Sequence, residues 1–589
     1  MQGLKYLGNV ANRVCIKISF AGLFNNKSSF ILFLIINFSL LTPHLLNAAG
    51  MVYWTPNGVQ LTSRDGGIEG LVDDMKGGAI TFSFAGDSVY AIRVDRNGSL
   101  PWGLPGKTID NYSGTQSQPI GVSDGRGGAI AVWQRVPFPQ LYYQRIDSLG
   151  NKMWGTNAQR VTLSDSAQWW PAICSDGVNG IIIAWQEIRV RARGSDIYAQ
   201  RIDSNGTRQW GDYGVAVCAT DSSQDWPKIT CDNIGNCTIT WADMRNGNYD
   251  VYSQRLTLSG SPAWQANGIA ICDTSNSQVP TGIIMGSDTT IVFVWNDQRN
   301  GFANRDVYAQ NIKINGLPQW ATDGIAVCDT INRQSSGQLV SDGNGGAIFC
   351  WVDERNGNRS IYAQRVNSFG QRFWSNQGNA ICTADSSSSP KIVFDGKSGA
   401  IICWQDKRSG NWDIYAQHID SSGNILWDTN GMLVCNAANY QEVPYMINSD
   451  SGRAIIVWDD GRAGSITYGY AQKVGDNIIG IADTERGKLE VSQVVLENNP
   501  NPFEYTTVIK FHLLNNEFRL NARSQNSLKI FNCIGQLVKT FNLSFCQRSS
   551  NQVIWDGIDN NNIRLPRGVY FCELITDKQN VTKKIILVK

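Results

Sequence analysis

Histidine is almost missing from this chain: three occur in 589 residues, His44, His418 and His512. A Ser-His-Asp triad, an imidazole zinc site or a His general base in the central region would therefore rest on His418 alone. Glutamate is nearly as scarce between residues 51 and 474, where only Glu69, Glu187, Glu354 and Glu442 occur. An excess of one charge is also missing. Lys and Arg number 51 against 50 Asp and Glu, for a net charge of +1, and no long basic block appears. Nucleic acid is thereby excluded as an expected partner. After residue 50 no long apolar run follows, so no membrane span is expected once the amino-terminal segment is removed.

That segment stands apart. Lys5, Arg13, Lys17 and Lys27 precede the apolar run "FILFLIINFSLL", and the small residues Ala48, Ala49 and Gly50 follow it. The order of basic, apolar and small residues reads as a secretory signal peptide over residues 1–50. What remains is rich in Gly (58) and Trp (20), with short Val, Ile and Tyr runs between Asn, Asp and Ser. Strands joined by tight turns have this composition, and an all-β protein is predicted.

Fourteen Cys in an exported chain would suggest a disulfide framework. Position argues for another role. Cys218, Cys272, Cys328, Cys382 and Cys435 recur at 54, 56, 54 and 53 residues, so they occupy equivalent places in successive repeats. Bridges between such places are disfavoured by distance, and buried thiols are expected, with Cys231 and Cys237 as the local pair placed to bridge.

Two tryptophan series carry the repeat. Trp133, Trp185, Trp241, Trp295, Trp351, Trp404 and Trp458 each close a strand such as "GAIICW", with Ser83 in the equivalent place of a first, degenerate unit. Trp54, Trp102, Trp154, Trp210, Trp264, Trp320, Trp374 and Trp427 interleave with them, typically with Gly four residues later. The period of roughly 53 residues lies in the range of solenoids, propellers and arrays. Each unit reads as four strands, in one case "PKIVFDG", "GAIICWQD", "DIYAQHID" and "ILWDTNGMLVC". Radially repeated four-stranded sheets make a β-propeller, here of eight blades with seven as the alternative count, over residues 51–474. The last unit lacks its fourth strand and residues 51–61 supply one, which predicts a closed ring rather than a capped solenoid.

The polar residues repeat as well. Asp243 with Arg245, Asp297 with Arg299, Asp353 with Arg355, Asp406 with Arg408 and Asp460 with Arg462 share the spacing Trp-x-Asp-x-Arg, and Glu187 with Arg189 makes a sixth pair. Such a set, presented around a ring, predicts a structural clamp on each hairpin rather than one active site. Asp147, Asp203 and Asp420 in "IDSxG" read as turn residues bonding nearby backbone. "SDGNGGA" lacks the alternating ligand positions and terminal Glu of a calcium loop, so neither a metal nor a cofactor is expected. The hairpin signature resembles the propeller repeats of the TolB kind, and "IDSxGxxxW" is similar to the sialidase Asp-box. The resemblance implies a propeller and no particular reaction.

No residue is assigned as catalytic. Departures from the repeat point instead to binding: Trp169, Trp170 and Trp226, Arg191 and Arg193, Arg305 and Trp412 all fall in segments predicted to emerge on one face. Aromatics with Arg suit a glycan or a peptide strand through stacking and bidentate hydrogen bonds. A polysaccharide-degrading enzyme, a glycosidase or lyase using an Asp pair, is the alternative, and a structural surface-layer protein the third.

After a linker over residues 475–495 the periodic Trp stop. The segments "NNPNPFEYTTVIKFHL", "SLKIFNCIGQLVKTF", "VIWDGIDNNN" and "RGVYFCELITDKQNVTKKIILVK" alternate apolar and polar residues, which predicts a small β-sandwich. Asn499 to Phe503, Gly535 and Gln536, Trp555 to Gly557 and Gly568 to Tyr570 make residues 496–589 resemble the C-terminal sorting domain of type IX secretion cargo, with an Ig-like fold. The resemblance implies the type IX secretion machinery as a partner. It also implies export to the medium or outer surface of a Gram-negative, Bacteroidota-like cell.

Overall fold

The computed structural model describes residues 50–476 and 494–588, apart from Ser113, 191–193, Asp288, Asp385, Ser451, Pro500, Pro502, 514–526, 533–535, 543–550 and 576–579. The expected signal peptide lies outside the described residues. Two compact units divide the chain at residues 479 and 480.

The first unit is built of repeated antiparallel sheets. In the fourth, Gln224–Cys231, Cys237–Asp243, Asp250–Leu256 and Ile269–Cys272 pair in chain order. Among the described residues, seven four-stranded sheets of this kind precede a five-stranded one. That last sheet joins Gln441–Asn448, Arg453–Asp460 and Tyr468–Asp476 to Gly50–Val52 and Val59–Gln60 from the other end of the unit. The first strand of each sheet is its edge and lies against the first strands of the sheets on either side, Gln441–Asn448 against Ile68–Asp73 included.

The core sits between sheets. Ile182 and Ala184 of the third sheet pack on Ile239 and Trp241 of the fourth, and Ile455 and Val457 of the last pack on Ala79 and Ile92 of the first. All seven Trp that close a second strand are fully buried. Each removes on the order of 200 Å² from water, about 5 kcal/mol by area bookkeeping. The second Trp series explains its glycine. A Cβ on Gly431 would stand 2.4 Å from the Trp404 ring, and one on Gly58 would stand 2.6 Å from the Trp458 ring. Gly four residues after one Trp is thus the floor on which the other Trp rests.

Two expectations are corrected. "ILWDTNGMLVC" is not one strand: Asn430 and Gly431 turn at φ 63° and 94°, and only Met432–Cys435 pairs as a strand after them. The disulfide joins Cys174 to Cys231 across the third and fourth sheets, with Cα atoms 6.0 Å apart, not Cys231 to Cys237. Neighbouring first strands approach closely enough for a bridge there, whereas Cys237 faces inward as a buried thiol. Cys218, Cys272, Cys328, Cys382 and Cys435 are free and buried.

The second unit has a three-stranded sheet, Val494–Asn499, Thr507–Leu513 and Asn551–Trp555, and a four-stranded one built from Ser527–Asn532, Leu537–Asn542, Gly568–Ile575 and Asn580–Leu587. One core serves both sheets. The motif aromatics meet in it: the Trp555 ring is 5.4 Å from Phe503 and 5.3 Å from Tyr570.

Candidate functional site

The repeated Asp–Arg pairs are bonded within and between sheets. The buried Asp243 carboxylate accepts from Trp241 Nε1 at 2.7 Å and from Arg245 Nε and Nη2 at 2.9 and 2.6 Å. Arg245 Nη2 also reaches the Asn267 carbonyl at 2.9 Å and Cys218 Sγ of the preceding sheet at 3.1 Å, and its guanidinium lies 3.9 Å over Tyr252. Asp297 with Arg299, Asp353 with Arg355, Asp406 with Arg408 and Asp460 with Arg462 repeat this geometry. Burial opposes ionisation of Asp406, but the bonds from Arg408 outweigh it and hold the carboxyl below its ordinary range. The recurring Cys is one wall of the same assembly. Burial pushes Cys218 and Cys435 up to about 12, so both stay protonated.

The second sheet carries an inverted copy that the spacing does not reveal. Arg135 occupies the Asp position, and its partner Asp110 comes from the fourth strand of the preceding sheet, where other units place Cys. Arg135 Nε and Nη2 bond Asp110 at 2.9 and 2.8 Å, and Trp133 Nε1 donates to the same carboxylate at 3.1 Å.

At the other end of the sheets, Asp342 Oδ1 caps the Asn344 and Gly346 amides while Oδ2 pairs with Arg365 at 3.0 Å. The loop that resembles a calcium site is thus filled by its own bonds, and no acidic, His and Cys cluster suited to a metal is found among the described residues. Asp147, Asp203 and Asp420 each cap amides two and four residues ahead. A cleft of about 540 Å³ at this end lies between the third and fourth sheets, lined by Arg201, Trp210, Asn236 and Leu258 among others.

The turn after the second strand and the entry to the next sheet lie at one end. Gln224 N donates to Ser195 O at 2.7 Å, Gln334 N to Arg305 O at 2.6 Å and Gln441 N to Trp412 O at 2.7 Å. Here the first strands bulge. Register slips between Trp169 and Ala172, Asp225 and Lys228, Ser388 and Lys391, and Glu442 and Tyr445. Trp170, Trp226, Ser389 and Val443 take left-handed φ between 51° and 54°. Such bulges re-aim a side chain and are costly for residues with a Cβ. In three sheets a side chain of the preceding sheet bonds the backbone at the bulge. Gln186 Oε1 accepts from Trp226 N at 3.3 Å, Gln405 Oε1 from Val443 N at 2.7 Å, and Asp459 Oδ1 from Ile68 N at 2.7 Å.

Among the residues expected to bind, Trp170 and Trp226 share this position on adjacent first strands. Trp170 is 50% exposed. Trp226 lies 5.1 Å from the Tyr249 ring, and Tyr249 bonds Asp225 at 2.8 Å. Trp169 is half-buried beside them. Arg305 belongs to a separate group, facing Phe302 at 5.8 Å together with Arg333 at 5.5 Å. Trp412 lies on the seventh sheet's turn, under Lys407 Nζ at 5.7 Å. Arg191 and Arg193 lie outside the described residues.

The same strands carry polar groups that the sequence reading passed over. Lys228, Lys391 and Tyr445 follow their bulges directly and pair with Thr240, Cys403 and Val457, each the residue before a buried Trp. The signal was the position after "WP", "SP" and "VP", polar here but Ile120 and Ala172 after the Pro of the second and third sheets. Nearby, Asp459 is pushed up to about 7 by burial and by the charges of Glu69 and Glu442, against the bond from Ile68 N.

Residues 499–589 match the family described as the secretion system C-terminal sorting domain. The chain is therefore type IX secretion cargo, recognised by that machinery and delivered to the cell surface or beyond in a Bacteroidota bacterium. No curated protein matches the chain by sequence. Among solved structures, polysaccharide lyase Uly1 is similar with a TM-score of 0.37 and 9% identity, over 72% of this chain and 92% of that one. An exo-1,5-α-L-arabinanase from a bovine ruminal metagenomic library has a TM-score of 0.25 at 14% identity, over 43% and 94%. A protein of unknown function from Dyadobacter fermentans DSM 18053 has a TM-score of 0.35 at 8% identity, over 53% and 95%. Likeness at this level transfers no chemistry to the chain. No described helix is long and apolar enough to cross a membrane.

Proposed function

We propose that residues 51–474 form a closed, eight-bladed β-propeller that binds a glycan or a protein outside the cell. In this reading residues 1–50 are its signal peptide, 475–495 a linker and 496–589 an Ig-like sandwich used for sorting. One observation carries the binding reading: the left-handed bulge that recurs on the edge strands holds Trp170 and Trp226 on two adjacent sheets, where Gln118, Ser336, Ser389 and Val443 stand at the equivalent place of others. Paired indoles on a fixed scaffold suit stacking on sugar rings or an extended peptide. The clamp residues are scaffold, since their carboxylates are buried and bonded. Screening the full chain against a glycan array, beside its Trp170→Ala and Trp226→Ala variants, tests this. Binding that disappears in the variants supports it, and binding equal in all three removes the Trp pair from the site.

A polysaccharide-degrading enzyme is the second reading. It is favoured by Asp459, which burial and the charges of Glu69 and Glu442 push up to about 7, near where a general acid works. Release of reducing ends or unsaturated sugars, abolished by Asp459→Asn, is its expected signature.

A further inference from the structure

We infer that the inward edge strands of the first unit hold an oxyanion-binding site gripped by Lys228 and Lys391. Lys228 sits on Gln224–Cys231 of the fourth sheet and Lys391 on Ser388–Phe394 of the seventh, at the same register behind the same bulge. The edge strands lie side by side from sheet to sheet, the eighth against the first, so residues at this register share one level of the surface that those strands line.

Both lysines stand at one level of the edge strands, and among the described residues no carboxylate pairs with either. Burial, and after it the charge of Lys391, holds Lys228 below the ordinary lysine range. Burial does the same to Lys391. Lys391 Nζ lies 5.5 Å from the centre of the Tyr445 ring, a face that attracts a cation without neutralising it. Glu69, Glu442 and Asp459 do not supply the missing charge. Glu69 and Glu442 act on Asp459, and Glu69 and Asp459 on Tyr445, while none of the three is ion-paired with either lysine among the described residues.

Two shielded like charges at one level without a counter-ion are unfavourable, and an anion between them reverses the sign of the interaction. A carboxylate, sulfate or phosphate oxygen there would accept charge-assisted bonds from both lysines. Tyr445, which burial and the nearby acids push up to about 12, keeps its proton for a third. The shared chemistry is an oxyanion; its source is either a free inorganic ion or the acid group of a glycan chain. The second source rests on the binding reading above. It places a uronate or sulfate ester two residues along the strand from Trp226.

The test titrates the full-length protein at pH 7 with sodium sulfate, sodium phosphate, an oligogalacturonate and a neutral cello-oligosaccharide. Calorimetry compares wild type with Lys228→Met/Lys391→Met, and NMR follows reductively dimethylated lysines in the wild type, where no variant has to fold. At least one anionic probe should bind, weaken tenfold or more in the double variant, and raise the proton affinity of both lysines. No anionic binding, or binding equal in the variant, overturns the site. Sulfate held by the lysines without oligogalacturonate binding keeps the site and removes the acidic glycan. Neutral oligosaccharide binding with no anion effect removes the site and keeps the binding reading.

Discussion

Arg462 Nη2 donates to the backbone carbonyl of Asn57 at 2.8 Å, across 405 residues of chain. In the preceding sheets Arg408 bonds Asn430 O and Arg355 bonds Gln377 O, in each case just before the sheet's own fourth strand. Asn57 therefore stands where a fourth strand begins, and Cys435 of the seventh sheet touches the same carbonyl as Cys328 touches Gln377 O. Trp54 behaves alike. Its amide donates to Gln472 Oε1 at 2.8 Å and its indole N–H to Arg96 O of the first sheet at 3.2 Å.

If these contacts close a ring, deleting residues 50–61 exposes the Trp458 face and frees the first sheet. Differential scanning calorimetry should then show a large loss of the cooperative transition or outright aggregation. A truncated chain with an unchanged midpoint would mean that the sheets form an open row.

Changing Asp406 to Ala strips Trp404 Nε1 and Arg408 of their acceptor while the guanidinium stays wedged against Tyr415. Breaking a buried pair from one side costs on the order of 3 kcal/mol. Urea unfolding should register that loss with ligand binding intact. A stable variant that has lost binding would move the clamp from scaffold to site.

The inverted pair offers a double-mutant cycle. Arg135→Ala and Asp110→Ala should each destabilise, and the double variant should lose less than their sum by about 1–3 kcal/mol. Additivity would show that the two charges are held by other partners.

Asp459 sets a pH dependence of known sign. Its folded value of about 7 exceeds the 3.8 of an unperturbed carboxyl, so the folded state keeps a proton that the unfolded chain has released. Stability should fall as pH rises from about 4 to about 7 and level off above. Asp459→Asn keeps an oxygen for Ile68 N and should remove this slope in urea titrations.

His418 acts in the opposite part of the range. Burial alone lowers it, but bonds to Asp395 at 3.1 Å and Asp476 at 2.8 Å outweigh that and raise it to about 9 from 6.5. Its contribution is full below about 6.5 and is lost as pH rises through about 9. Other sheets use Arg here, such as Arg365 on Asp342. His418→Arg should flatten the alkaline limb, and NMR titration of the imidazole reads the value directly.

Much of this was legible from residues near each other in the chain. The Trp spacing, the Gly four residues later and the Asp–Arg clamp all lie within one hairpin or one turn, where pattern and geometry are the same thing. The bulge was partly legible, because Pro follows Trp170 and Trp226, but a left-handed Trp is not a choice that propensity predicts. The binding residues divided along the same line. Trp170 and Trp226 take equivalent places on adjacent edge strands because the repeat puts them there, whereas Arg305 and Trp412 sit on turns of other sheets and join other neighbours.

The sequence by itself determined the all-β character, the repeat and the sorting domain, because strand alternation, turn chemistry and motif order are local properties of the chain. Tertiary structure alone decided the Cys174–Cys231 bridge, the Asp110–Arg135 inversion and the level that Lys228 and Lys391 share on separate edge strands. Each depends on the distance between residues far apart in sequence, and that distance is set by how one sheet packs on the next.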